Sequence, residues 1–110
     1  MMKIDLFAKD IQLTDPIKVF INDKIGSLSK LFNNNESVSA KVEIARTTRH
    51  HKTGEVYYAE ANLLIKGALI RAQANHRDVR SAITEVKDEL KIKIKKFKEK
   101  KKDLSRKSKR

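Results

Sequence analysis

Seven basic side chains in the last third of this 110-residue chain, Arg77, Arg80, Lys87, Lys91, Lys95, Lys98 and Lys102, advance by 3, 7, 4, 4, 3 and 4 residues, with Thr84 in the one skipped place. Those steps suit a helix: at about 100° per residue all seven fall in a sector roughly 80° wide. The ridge they form would be about 37 Å long at roughly 1.5 Å rise per residue. Ammonium and guanidinium groups strung along such a ridge do one kind of chemistry well, the replacement of counterions on a phosphate backbone. Segregation of Lys from Glu for solubility alone gives a similar pattern. Lys24 and Lys30 in an earlier helical segment, and Arg46, Arg49 and Lys52 around a polar loop, extend the candidate set. With about six phosphates neutralised, log K should fall against log salt with a slope near −4 to −5.

Residues that could support catalysis are thin by comparison. His50 and His51 are neighbours in a loop and His76 stands before the last helix, with no carboxylate at a ligand-like spacing. Adjacent loop histidines do not readily chelate one ion together. Gly26, Gly54 and Gly67 make no phosphate-cradling loop, and no motif joins a Ser or Asp to a base. No catalytic residue, no metal site and no cofactor are expected. Aromatic residues are only 5% of the chain, which makes base stacking a poor basis for recognition. Contact with the shape and backbone of RNA is the better expectation.

Composition sets the bounds around this ridge. Apolar residues are 39% and charged residues 36%, with three Gly and one Pro, a profile of one folded domain with a highly charged surface. Net charge is +12 and uneven: residues 77–110 hold 15 Lys and Arg against 6 Asp and Glu, whereas residues 1–76 hold 11 against 8. Such asymmetry points to a polyanionic partner, nucleic acid before membrane. The absence of Cys removes disulfides and Cys-based zinc sites. Neither a membrane-length apolar run nor a signal-peptide apolar region is present, so a cytoplasmic chain is expected, monomeric when free, with no small-molecule substrate.

The elements that must carry these residues follow from periodicity. Lys3–Lys9 alternates, with Ile4, Leu6 and Ala8 on one face. Thr14 is a good N-cap, followed by Asp15 and Pro16 in a first helical turn. Ile17, Phe20, Ile21, Leu28, Leu31 and Phe32 recur at helical spacing, so one helix is predicted up to Asn33–Asn35. Val38–Arg46 alternates with Val38, Ala40, Val42 and Ile44 inward. Thr47–Gly54 reads as a loop, and Glu55–Lys66 and Ala68–Asn75 as two strands joined tightly at Lys66–Gly67. Tyr57 and Tyr58 fall on opposite strand faces, one core-packed and one exposed. Ala59, Ala61, Ala72 and Ala74 share the inner face, where small side chains let helices come close.

The stretch KIKIKKFKEKKK (Lys91–Lys102) alternates like a strand for only five residues. Val79, Ile83, Val86, Leu90, Ile94 and Phe97 step by 4, 3, 4, 4 and 3, which makes the segment one helix capped by Asp78. Ile92 lies on its far side. The fold class is therefore α+β in the order β-α-β-β-β-α, a four-stranded mixed sheet with both helices packed on one face. Residues 1–101 form the single domain, and 102–110 a basic mobile tail.

With that order fixed, the chain resembles the ribosome hibernation-promoting factor and ribosome-associated inhibitor family in its short form, over about residues 3–101. The resemblance is carried by YYAEANLLIKG (Tyr57–Gly67), LIRAQA (Leu69–Ala74) and DVRSAITEVKDELKIKIKKFKEK (Asp78–Lys100). In the last of these Asp78, Val79, Ala82, Ile83, Asp88, Leu90, Ile94 and Lys98 match the family pattern. Arg80, Thr84, Glu89 and Lys93 depart from its usual Tyr, Asp, Lys and Gln. The resemblance implies binding to the small ribosomal subunit and its ribosomal RNA, between head and body, where such proteins occupy the mRNA path and tRNA sites of the decoding region and silence idle ribosomes. Competition would be steric, without reaction. Longer members carry an additional C-terminal domain that pairs ribosomes; without it, silencing of single ribosomes is expected, and pairing only with a separate partner. Another structured-RNA-binding or ribosome-assembly protein, or a small ribosome-dependent ribonuclease, are the alternatives.

Overall fold

Val38–Ile44 alternates apolar and polar residues, a pattern interrupted at the buried Ala45, and Val38–Arg46 forms the strand on which the rest is laid. The computed structural model describes residues 2–33, 36–47 and 57–108, with 101–108 described by their backbone alone. The chain runs β1 (Met2–Lys9), α1 (Asp15–Gly26), a 3-10 turn (Ser27–Leu31), β2 (Val38–Arg46), β3 (Tyr57–Ile65), β4 (Ala68–His76) and α2 (Val79–Ser108). Strand order in the single sheet is β1-β2-β3-β4. The β1–β2 pair is parallel, with Ile4 opposite Ala40 and Leu6 opposite Val42, because α1 carries the chain back across one sheet face. The remaining pairs are antiparallel, as the predicted mixed sheet requires.

Both helices lie on one face. α2 packs on β3 and β4, and α1 on β1 and against α2. Val38, Ala40, Val42 and Ile44 of β2 are all buried, as alternation requires. Ala59 faces Ala74 and Ala61 faces Ala72 across β3 and β4, a floor of small side chains. On that floor α2 buries Ala82, Ile83, Val86, Leu90 and Ile94 in the same cluster. Ile92, on the opposite side of α2, is 56% exposed.

The Lys66–Gly67 turn has φ of +47° and +82°, the left-handed pair of a two-residue type I′ hairpin. Asp78 caps α2: its Oδ1 accepts from the Ser81 N–H at 2.8 Å and its Oδ2 from the Ser81 hydroxyl at 2.7 Å. These bonds hold the Asp78 carboxyl below its ordinary range.

Several expectations need correction. The first helix does not run uniformly to the asparagines; α1 ends at Gly26 and a 3-10 turn follows. Gly weakens the helix there, and Ser27 Oγ donates to the Lys24 carbonyl at 2.6 Å. The tighter coil, with its three-residue repeat, aligns Leu28 with Leu31. Ile25, left out of the predicted stripe, is fully buried at 0%. Thr14 holds the N-cap position without a side-chain capping bond. Ala8 is exposed although its strand neighbours Ile4 and Leu6 are half-buried, because it sits near the uncovered end of an edge strand. Lys66 belongs to the turn and not to β3, whose predicted start at Glu55 lies outside the described residues. The α2 backbone is helical past residue 101 and through Ser108, in a stretch with no Gly or Pro to stop it.

Candidate nucleic-acid interface

The apolar side of α2 fixes where its cations go. With Ile83, Leu90 and Ile94 buried on the sheet, the sector at Arg80, Lys87, Lys91, Lys95 and Lys98 is turned to the flank shared with α1, while Arg77, predicted to continue this ridge, precedes the helix, which begins at Val79. Arg77, Arg80, Lys91 and Lys95 are exposed. Among the described residues no carboxylate lies within ion-pair distance of these four side chains, whereas the Lys87 ammonium is 2.9 Å from Asp88. Lys102 lies in the helical backbone, and its side chain is outside the described residues.

Two aromatic rings organise this flank. The Lys24 ammonium, on α1, is 5.5 Å from the Phe20 ring centroid, and the Arg80 guanidinium, on α2, is 5.7 Å from the same centroid. Further along, Lys98 lies over Phe32 at 5.7 Å and donates to the Leu31 carbonyl at the end of the 3-10 turn. Lys98 thus ties α2 to the 3-10 turn as well as adding charge. Lys30 is exposed in that turn, next to Leu31 in sequence. The structure therefore brings Lys24 toward the ridge of α2. Neither Phe20 nor Phe32 was singled out from the sequence as an organiser. The Phe20–Lys24 spacing of four was a legible signal, but the approach of Arg80 was not.

Arg46 falls elsewhere. It ends β2, exposed, in a row with Tyr57 and His76 across the sheet, and it lines a groove with Lys9, Asp10, Glu43 and Tyr58. Arg49, Lys52, His50 and His51 lie outside the described residues. His76 Nε2 is 3.0 Å from a Glu85 carboxylate oxygen. Among the described residues no group of three or more His, Cys, Asp or Glu could hold a metal ion, and no helix is long and apolar enough to cross a membrane.

The opposite face of the sheet has different electrostatics. Lys3, Lys9, Lys41 and Arg71 are interleaved there with Asp5, Glu43 and Glu60. Glu60 accepts from the Tyr58 hydroxyl at 2.7 Å, from the Asn62 amide at 3.1 Å and from Arg71. The Tyr58 bond is the chief reason that its carboxyl is held below the ordinary range. Burial, then the neighbouring carboxylate, pushes the Tyr58 phenol up. Both tyrosines are half-buried, so the expected division into one packed and one exposed ring is replaced by a hydrogen-bonded Tyr58 on the open face. Lys93 bonds the Arg71 carbonyl at 2.6 Å and Glu89 at 3.0 Å, covering the edge of β4.

A four-stranded mixed sheet roofed by two helices, with cations from both gathered on one flank, defines a small α+β domain with a cationic helical layer. Residues 4–102 match the family described as Sigma 54 modulation protein / S30EA ribosomal protein, and the chain belongs to that family. A ribosome hibernation promotion factor of Lactococcus lactis subsp. cremoris is 32% identical over 98 residues, which cover 89% of this chain and 50% of that protein. The chain thus spans about half the length of that relative. A ribosome hibernation promoting factor of Pseudomonas putida is 24% identical over 103 residues, covering 94% of this chain and 93% of that protein. In fold, the N-terminal domain of Thermus thermophilus Protein Y superposes with a TM-score of 0.73 at 23% identity, over 87% of this chain and 99% of that one. A ribosomal subunit interface protein from Coxiella burnetii gives 0.70 at 15% identity, over 89% and 98%. The family resemblance and the β-α-β-β-β-α fold read from the sequence are those of these relatives.

Proposed function

We propose that this chain is a ribosome hibernation factor acting in the cytosol: it binds the small ribosomal subunit at the decoding region and excludes mRNA and tRNA, silencing idle ribosomes without catalysing a reaction. The observation that carries this reading is the flank on which Arg80, Lys91 and Lys95 of α2 stand exposed, with no carboxylate in ion-pair distance among the described residues, beside Lys24 of α1 and just after the exposed Arg77. Family membership and relatives named for ribosome hibernation support the choice of partner. Cations from two helices on one rigid flank suit a folded RNA, whose backbones approach from more than one direction. Arg46, exposed at the sheet end where β4 hands over to α2, would extend the contact beyond the helical flank, and Arg49 and Lys52 lie next to it in sequence.

Sucrose-gradient sedimentation with purified small subunits tests the reading, with and without mRNA and tRNA. The chain should co-sediment at physiological salt and be displaced by mRNA and tRNA together. Changing Arg80, Lys91 and Lys95 together to Glu should abolish co-sedimentation while leaving the circular dichroism spectrum unchanged. Undiminished binding by that variant would remove the helical flank as the RNA site. Cleavage of mRNA on ribosomes would instead support a ribonuclease, and equal binding to free duplex RNA a general RNA-binding protein.

A further inference from the structure

We propose that Lys24 and Arg80, gathered on the Phe20 ring where α1 meets α2, clamp a single phosphate group of the RNA chain, so that the two helices bind one anion jointly. The inference rests on the reading above and names the group taken at one point of that flank. Its basis is a charge arrangement that needs explaining. Two cations from different helices stand within 5.5 and 5.7 Å of one ring centroid. They are therefore no more than about 11 Å apart. Like charges on long flexible side chains ordinarily move apart into water, and here one aromatic ring attracts both.

The nearest acids on α2 are engaged elsewhere. Glu85 and Asp88 share a shallow groove with Arg80, but Glu85 contacts His76 at 3.0 Å and Asp88 contacts Lys87 at 2.9 Å. Among the described residues no carboxylate reaches Lys24 or Arg80. A ring satisfies none of their N–H donors. The guanidinium offers a planar fork that matches two oxygens of one phosphate, and the ammonium is a compact charge suited to a third. One phosphate between them would relieve their repulsion and satisfy donors on both helices. Phe20 is the positioning residue: it holds the two charges near each other before the anion arrives.

Binding to purified small subunits at several salt concentrations tests this with Lys24→Gln, Arg80→Gln and the double variant. Each single variant should bind about three- to ten-fold more weakly, with the slope of log K against log salt reduced by about one, the share of one phosphate. The double variant should be weaker than the worse single variant by no more than about two-fold, at the same slope, because the shared contact is already lost. Losses that multiply, with a slope reduced by about two in the double variant, would mean separate phosphates and overturn the clamp. Phe20→Leu should keep the fold and restore additivity.

A second measurement is independent of the ribosome. Titration of the free protein with inorganic phosphate, followed by NMR, should shift the Lys24 and Arg80 side chains and the Phe20 ring along one binding curve. Lys24→Gln should suppress the Arg80 response; an unaltered Arg80 response would overturn the clamp. If the protein fails to bind subunits yet shows the joint curve, the ribosomal reading falls and the clamp stands. If neither is seen, both fall.

Discussion

Lys98 illustrates how a cation read from sequence as an RNA contact can also be committed to the fold. Its ammonium donates to the Leu31 carbonyl and lies over Phe32, so it joins α2 to the end of the 3-10 turn. Lys95 has no such partner among the described residues. Changing Lys98 to Met should therefore lower stability by about 1 kcal/mol, since a charged donor to a carbonyl is lost from an exposed site. Lys95→Met should leave stability within about 0.5 kcal/mol. Denaturant melts of the two variants check this, and equal stabilities would remove the structural role. Glu60 makes a separate prediction on the open face. Its folded carboxyl titrates below the ordinary value of 4.5, held first by the Tyr58 hydroxyl and then by Asn62 and Arg71. A depressed folded value means that its contribution is present above the ordinary carboxyl range and is lost as pH falls through the lower folded value. Glu60→Gln should flatten the fall of melting temperature with acid below pH 4.5, while the wild type keeps the steeper fall. An unchanged acid limb would show that the network adds nothing.

In α2 the choice between strand and helix for KIKIKKFKEKKK has a direct energetic consequence. Ile94 is fully buried and Ile92 is 56% exposed, although they stand two residues apart where a strand would place both on one face. Ile94→Ala should cost about 2–5 kcal/mol, whereas Ile92→Ala should change stability by less than about 0.5 kcal/mol. Similar losses at both sites, measured by urea denaturation, would contradict the helical assignment. The β3–β4 turn offers a gain. Lys66 holds φ at +47°, which Asn tolerates better, and its ion pair with Glu36 is long at 4.0 Å. Lys66→Asn should raise stability by a few tenths of a kcal/mol, whereas Gly67→Ala should lower it by about 1 kcal/mol although nothing lies within 4 Å of the added Cβ. Elements like these were legible because their signals are local: two-residue alternation in β2, a sustained apolar stripe in α2, and Lys-Gly between two strands. The break of α1 at Gly26 was not, since Leu28 and Leu31 satisfy both an α-helical and a 3-10 repeat. The meeting of Arg80 with Phe20 was hidden for another reason. It depends on the packing of α1 against α2, and sequence spacing specifies each helix alone.

At the scale of the whole molecule the charge is sorted by layer. The sheet face interleaves Lys3, Lys9, Lys41 and Arg71 with Asp5, Glu43 and Glu60, so its field nearly cancels beyond a Debye length. The helical layer carries Arg77, Arg80, Lys91, Lys95, Lys24 and Lys30 without a carboxylate in contact among the described residues. The molecule measures 56 × 28 × 18 Å, a thin wedge with its long axis set by α2, so one flank can meet RNA over most of its length. Sequence counting took about six phosphates and a salt slope near −4 to −5. The structure changes the sum in two ways. Lys87 is paired with Asp88 and Lys98 is shared with the Leu31 carbonyl, so neither counts as a full contact. If Lys24 and Arg80 share one phosphate, the six remaining cations neutralise about five, and the slope should be near −3.5 to −4.5. A slope steeper than about −7 would require the cations of the sheet face or of the segments around Arg46 to bind as well. One shallower than about −2 would mean that shape and apolar contact, not phosphate neutralisation, hold the protein to its partner. The measurement needs only wild-type protein, small subunits and a salt series, and it reads the sorting of charge between the two layers directly.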